Sequence, residues 1–242
     1  FNYHKQYLRS YRHYIPDHYV LGYNMVSYLR QRTGNAEVWE NITDRAWRVP
    51  FIPFTFSNAI KHETGMYVTQ LYKQMARDQV RTWRTAIDTL QLTSIETINK
   101  RESKIFTHYQ FPQVLRDGRV LALKRGIGDI ETLVIIKDGS EKRLFTPGIM
   151  NETAMLSAND KAVVWNEYTF DPRWRVRNYT VIKAYDFETG KVRTIGGTQA
   201  RYAGAAISPD GQYIATIKTT HDYKHALVVL DYHTGAEVKV FT

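Results

Sequence analysis

Ile207-Ser208-Pro209-Asp210-Gly211-Gln212-Tyr213-Ile214-Ala215-Thr216-Ile217, followed by Ala226-Leu227-Val228-Val229-Leu230 and Asp231-Tyr232-His233-Thr234-Gly235, is the stretch on which the reading of this chain turns. Two β-branched runs lie between two turn signals. Asp-Gly and Thr-Gly supply the positive φ that tight hairpins demand, and aspartate bonds to backbone N–H groups just ahead of it. Short apolar runs bounded in this way are strands joined by hairpins. A further run, Glu237-Val238-Lys239-Val240, alternates charged and apolar residues, as a half-wet outer strand does.

The same arrangement occurs twice more upstream. The nearer copy has Asn159-Asp160, Ala162-Val163-Val164-Trp165, Tyr179-Thr180-Val181-Ile182, Glu188-Thr189-Gly190 and Lys191-Val192-Arg193-Thr194-Ile195. The earlier copy has Asp117-Gly118, Val120-Leu121-Ala122-Leu123, Thr132-Leu133-Val134-Ile135-Ile136, Asp138-Gly139 and Lys142-Arg143-Leu144-Phe145. Equivalent turns fall 42 to 51 residues apart. That is the period of a propeller blade built from four strands. The expected fold class is therefore α+β: an N-terminal α-helical subdomain over residues 1–104, then antiparallel β-propeller blades over 105–242. About three blades are expected, near 105–149, 150–197 and 198–242. A closed ring needs about four to eight. The ring is thus expected to be incomplete, its missing blades coming from the parent chain or from another subunit.

The middle copy carries an insertion, Tyr168 to Asn178, in which Trp174 stands between Arg173 and Arg175. Loops on rigid sheets carry binding residues, so Tyr168, Arg173, Trp174 and Arg175 are the candidate protein-contact residues. An ordinary long hairpin is the plainer alternative.

Before residue 105 the periodicity is helical. Pro16-Asp17 opens a segment with Leu21, Met25, Tyr28 and Leu29 on one face, closed at Thr33-Gly34. Asp17 suits an N-cap, and Gly34 suits the left-handed position after a helix end. Val38, Trp39, Ile42 and Ala46 form a second stripe. Pro50 and Pro53 break the chain, and an aromatic loop with Phe51, Phe54 and Phe56 crosses over. A short helix starts at Ser57 or Asn58 and ends near Gly65. In the longest helix Tyr67, Leu71, Met75, Val80, Trp83, Ile87 and Leu90 share a face, with Lys73, Arg77, Arg81 and Arg84 mostly off it. Each such face is expected to be covered by another element. Near the start, Tyr3, Tyr7, Tyr11 and Tyr14 fall at helical spacing and read as an aromatic packing stripe.

The stretch Ile207 to Ala215, with Leu230-Asp231-Tyr232-His233-Thr234-Gly235, resembles a blade of the TolB-like propeller repeat. Asp117-Gly118-Arg119-Val120-Leu121-Ala122 keeps the core of that motif, whereas Ser157-Ala158-Asn159-Asp160 departs from it. The Gly-His and Trp-Asp marks of WD repeats are missing. The helical part is similar to the C-terminal helical subdomain of gluzincin-type zinc peptidases. Tyr19-Val20-Leu21-Gly22-Tyr23 through Tyr28-Leu29, Thr33-Gly34, Trp39, Ala59 through Gly65, Leu71-Tyr72 and Trp83 carry that likeness. The two resemblances together imply the middle of a large envelope protein of a Gram-negative bacterium, periplasmic or outer-membrane-associated.

The gluzincin likeness implies a His-Glu-x-x-His zinc motif. His62-Glu63-Thr64-Gly65-Met66 has its first two letters and Met in place of the second His. His13 and His18 are five apart with Pro16 between them. In the family the motif lies upstream of the helices matched here, so it is expected before Phe1 if present at all. Gly-x-Ser-x-Gly and P-loop patterns are absent, and Gly126-Ile127-Gly128 falls in a hairpin instead of a strand–helix junction. Asp210, Asp222 and Asp231 read as turn residues. No catalytic, cofactor-binding or metal-binding residue is assigned, and no cofactor is expected.

Composition bounds the rest. The chain has 242 residues, 43% hydrophobic and 24% charged, which excludes wholesale disorder. It has no cysteine, which excludes disulfide scaffolds and Cys-ligated metals. No apolar run reaches the roughly 18 residues of a membrane span. The first residue is Phe1 and no leader follows, so the chain is expected to be a processed product or a piece of something longer. The net charge of +9 comprises +6 in residues 1–110 and +3 beyond, without a long basic cluster, which argues against a nucleic-acid site. The expected function is a non-catalytic protein-interaction or scaffold module that binds a protein or peptide through propeller loops and faces. The alternative is part of a zinc metallopeptidase.

Overall fold

The computed structural model describes residues 2–10, 15, 17–99, 105–150, 156–174 and 176–242. The chain divides into two units, Phe1–Ile95 and Glu96–Thr242. The first is helical, the second is built of antiparallel strands, and the fold class is α+β.

Among the described residues the helical unit has five helices: α1 (Tyr3–Leu8), α2 (His18–Thr33), α3 (Val38–Arg48), α4 (Thr55–Thr64) and α5 (Val68–Asp88). Their ends follow local chemistry. Asp17 Oδ1 accepts hydrogen bonds from the backbone N–H groups of Tyr19 and Val20, both at 3.1 Å. Gly34, at φ 64°, donates its N–H to the Arg30 carbonyl and closes α2; Gly65, at φ 75°, does the same for α4 on Lys61. The core is Leu21, Met25 and Leu29 of α2, Val38 and Ile42 of α3, Ala59 and Ile60 of α4, and Leu71, Tyr72 and Met75 of α5. Three polar ties cross it: Tyr72 to Gln6 at 2.7 Å, Tyr28 to Asp78 at 2.6 Å and Gln79 to Asn24 at 2.7 Å.

Three sequence expectations change here. The tyrosine stripe is short, because Arg9 at φ 67° ends α1 after Leu8. Tyr3 stacks on Tyr7 and meets Tyr72 edge-on, while Tyr11, Tyr14 and Pro16 lie outside the described residues. The aromatic loop is only partly packed: Phe56 stacks on Trp39, whereas Phe51 and Phe54 are exposed. The apolar face of α5 is covered only through Met75, because the neighbouring helices stop supplying partners after the ties at Asp78 and Gln79; Val80, Trp83 and Ile87 stay exposed.

Among the described residues the second unit contains three meanders of four strands. The first is β1 (Thr107–Val114), β2 (Val120–Gly126), β3 (Asp129–Lys137) and β4 (Ser140–Phe145), paired in sequence order. The second is β5 (Ser157–Ala158), β6 (Ala162–Phe170), β7 (Asn178–Asp186) and β8 (Val192–Ile195). The third is β9 (Arg201–Ile207), β10 (Tyr213–Thr219), β11 (His225–Asp231) and β12 (Glu237–Phe241). The second and third meanders count as one sheet through a single parallel rung, Thr180 beside Arg201, where the Thr180 N–H reaches the Ala200 carbonyl at 3.0 Å.

Side-chain alternation shows how the meanders pack. In β6, Val163 and Trp165 join Leu121, Leu123, Leu133 and Ile135 of the first meander. Their neighbours Ala162 and Val164 join Ile214, Val228 and Leu230 of the third. A strand whose odd and even residues enter two different cores is covered on both faces. The second meander is therefore sandwiched face to face between the other two.

The turns repeat in atomic detail. Asp186 Oδ1 accepts from the backbone N–H of Glu188 and Thr189 and from the Thr189 hydroxyl. Asp231 Oδ1 does the same with His233 and Thr234. In each turn the following Gly, at φ 67° or 72°, donates its N–H back to the Asp carbonyl at 2.9 Å.

Candidate functional site

The β6–β7 hairpin positions the candidate contact residues. Its ladder runs from Ala162 opposite Asp186 to Phe170 opposite Asn178 without a register shift. The insertion expected at Tyr168 to Asn178 is therefore strand as far as Phe170, and the loop proper is residues 171–177. Asp171-Pro172 sets that boundary, since the chain must turn where proline removes the ladder donor.

Asp171 organises the loop. Its Oδ1 accepts from the backbone N–H groups of Arg173 at 2.8 Å and Trp174 at 3.0 Å. Its own N–H reaches the Arg177 carbonyl at 3.0 Å, and the Arg177 N–H reaches the Trp174 carbonyl at 2.8 Å. The Arg177 guanidinium lies 4.0 Å from Asp171 Oδ2. These bonds fix the loop tip, where the Arg173 guanidinium stands 5.3 Å from the centre of the half-exposed Trp174 ring. A cation over an indole face in this geometry is attractive.

Tyr168 is elsewhere. It sits within β6, partly buried, its ring stacked at 6.5 Å on Phe170 and its N–H bonded to the Ile149 carbonyl at 2.8 Å. Arg175 lies outside the described residues. The structure thus joins Arg173 with Trp174 and separates Tyr168 from them. Sequence reasoning missed Phe170 and Val176, both exposed on the same hairpin. The alternation of β6 places Phe170 on the Tyr168 face, and the Asp-Pro turn was the signal for where the strand stops.

Beneath the loop, β6 is held by buried polar groups. Glu167 Oε1 accepts from the Trp165 indole N–H and from the Gly148 N–H, both at 2.8 Å. Asn166 Oδ1 accepts from Ala205 N–H at 3.0 Å, tying β6 to β9.

The other residues considered for chemistry are distributed as follows. His62 lies on α4 beside Glu63, 3.0 Å away. His4 meets its neighbour Tyr3 edge-on, and His18 lies tilted against Tyr19; His13 lies outside the described residues. Among the described residues no three His, Asp or Glu side chains converge on one point. Asp210 is held below the usual carboxylate range chiefly by the Ser208 hydroxyl, Asp222 by the Thr220 hydroxyl and Asp231 by the Thr234 N–H. All three serve their own turns. Among the described residues no helix is long and apolar enough to cross a membrane.

No family model matches the chain, and no curated protein does. Solved structures similar to it include TolB from Acinetobacter baumannii, at 18% identity and a TM-score of 0.41, aligned over 52% of this chain and 31% of TolB. A prolyl endopeptidase aligns at 15% identity and a TM-score of 0.41, over 57% of this chain and 22% of its own. The chain thus spans less than a third of either structure. At that level of similarity the architecture rests on the strand register and the two inter-meander cores described above.

Proposed function

We propose that this chain is a non-catalytic protein-interaction module of a bacterial cell-envelope protein, periplasmic or outer-membrane-associated. In this reading the three meanders are blades of an incomplete TolB-like propeller, near residues 105–149, 150–197 and 198–242. The helical subdomain spans 1–104, and the missing blades belong to the parent chain or another subunit. Binding runs through the propeller loops, with Arg173, Trp174 and Arg175 at the centre and Tyr168 in the supporting strand.

One observation carries the reading. Equivalent positions point the same way along the stack: Leu121 and Leu133 of the first meander toward the second, Val164 and Ile182 of the second toward the third, and Ala215 and Leu227 of the third onto its open face. The first two pairs are buried in inter-meander cores. A stack that repeats its interface is a scaffold, and the rigid β6–β7 hairpin holds an aromatic–cationic tip out from it. The envelope placement rests on the two sequence resemblances together, that of the helices and that of the third repeat.

A photo-cross-linking residue at Trp174, in the full chain expressed in a Gram-negative host, tests the binding claim. The expected result is one adduct of discrete mass, weakened by Arg173→Glu. Diffuse labelling, or none, overturns it. Osmotic-shock fractionation of the source organism, with the native protein detected by antibody, tests the compartment: recovery in the shock fluid or the outer-membrane fraction supports it, and recovery in the cytosol refutes it. Stoichiometric zinc with peptide hydrolysis would instead favour the peptidase alternative.

A further inference from the structure

Helix α5 carries a second apolar line that its own unit does not use. Val80, Trp83 and Ile87 are 43%, 55% and 51% exposed, and Leu90 continues the line in the closing turn, its N–H bonded to the Ile87 carbonyl at 3.0 Å. Spacings of three, four and three residues make the seam of a helix–helix contact. Successive residues on a helix advance by about 100°. Lys73, Arg77 and Arg84 therefore fall in one arc directly beside this seam, with Arg81 and Asp88 at its far side. Arg81 is paired with Asp78 at 3.2 Å. Among the described residues Lys73, Arg77 and Arg84 have no ion pair.

We propose that this face docks an acidic amphipathic helix of another protein. Apolar residues of that helix would meet Val80, Trp83 and Ile87, and its carboxylates would oppose Arg77 and Arg84. The charge pattern selects this occupant. In heptad terms Arg77 and Arg84 share one flank, and Gln79 and Ala86 share the other. An antiparallel second copy would set arginine against arginine, and a parallel one would set arginine against Gln79 and Ala86 without a charge pair. A bilayer surface calls for a broad apolar face, whereas this seam spans only about 80° of the helix.

Two synthetic heptad peptides, alike on their apolar seam but bearing Glu or Lys on the flanks, are titrated into the full chain by calorimetry. The Glu peptide is expected to bind, more weakly as salt rises. The double variant Arg77→Glu/Arg84→Glu should weaken that binding at least about tenfold and gain binding of the Lys peptide. Trp83→Ala should weaken the Glu peptide without changing the helical circular dichroism, since Trp83 lies outside the core. Equal binding of both peptides, or of neither, overturns the proposal. So does concentration-dependent self-association abolished by Trp83→Ala, or binding to phosphatidylglycerol vesicles without binding to the Glu peptide.

Discussion

Asp186 and Asp231 are held below the ordinary carboxylate range, first by the backbone N–H of the threonine three residues on and then by its hydroxyl. Both lie near solvent, so the effect on stability is modest and screened. Its sign is nonetheless fixed. A carboxylate whose folded value is depressed stabilises the fold above its unfolded value of about 3.9, and that contribution is lost as pH falls through the lower folded value. Asparagine keeps the Oδ1 acceptor and removes the titration. The double variant Asp186→Asn/Asp231→Asn should therefore hold the turns at neutral pH and show a flatter fall in urea midpoint below pH 4 than the parent. An unchanged acid slope would mean that these carboxylates are equally protonated in both states. The same residue-scale chemistry explains a departure visible in the sequence. Ser157-Ala158-Asn159-Asp160 lacks the Ser-Pro-Asp-Gly pattern, yet Asn159 Oδ1 accepts from the N–H groups of Lys161 and Ala162 as Ser208 Oγ does from Gln212 and Tyr213. Its Nδ2 donates onward to the Ser208 carbonyl at 3.0 Å, so the substitution also links two meanders.

At the element scale, Asn166 joins two strands from a fully enclosed position. It is buried on β6, accepts from Ala205 N–H and donates to the Tyr202 carbonyl at 3.4 Å. Asn166→Leu keeps a similar volume but strands a donor and an acceptor of β9 in an apolar interface. That should cost about 2 kcal/mol, read as a lowered urea midpoint with the slope unchanged; a loss below about 0.5 kcal/mol would show that β9 finds other partners. The element scale also shows what the sequence could convey. Helix α2 was legible at both ends because Asp17 and Gly34 act through bonds to residues within four positions. The strands of the third meander were legible because Asp-Gly and Thr-Gly turns are local as well. The exposed half of α5 was not, since periodicity reports that a face is apolar and says nothing of whether a partner reaches it. At the candidate site, Arg173 and Trp174 were legible as sequence neighbours in a loop. That Tyr168 lies in the strand and not in the loop was not legible, because the end of a ladder depends on the opposite strand, here Asn178 facing Phe170.

Across the whole second unit, burial falls away in one direction. The central pair β6 and β7 is covered on both faces, whereas β10 and β11 are covered on one only. Ile217 and Leu227, which take the places that Asn166 and Ile182 hold one meander earlier, are 40% and 43% exposed. Covered apolar area contributes about 25 cal/mol per Å², so identical substitutions at covered and open positions must differ sharply. Ile217→Lys/Leu227→Lys should leave the thermal midpoint of the chain within about 2 °C, because neither ammonium is forced out of water. Ile182→Lys should abolish the cooperative transition of this unit, because a charge would be buried without a partner. The open face also has a consequence in solution. Apolar sheet surface of this kind drives association between molecules, so sedimentation velocity should show concentration-dependent association of the parent chain that the double lysine variant loses. A chain that stays monomeric at every concentration would mean that the apolar area of this face is too small to act.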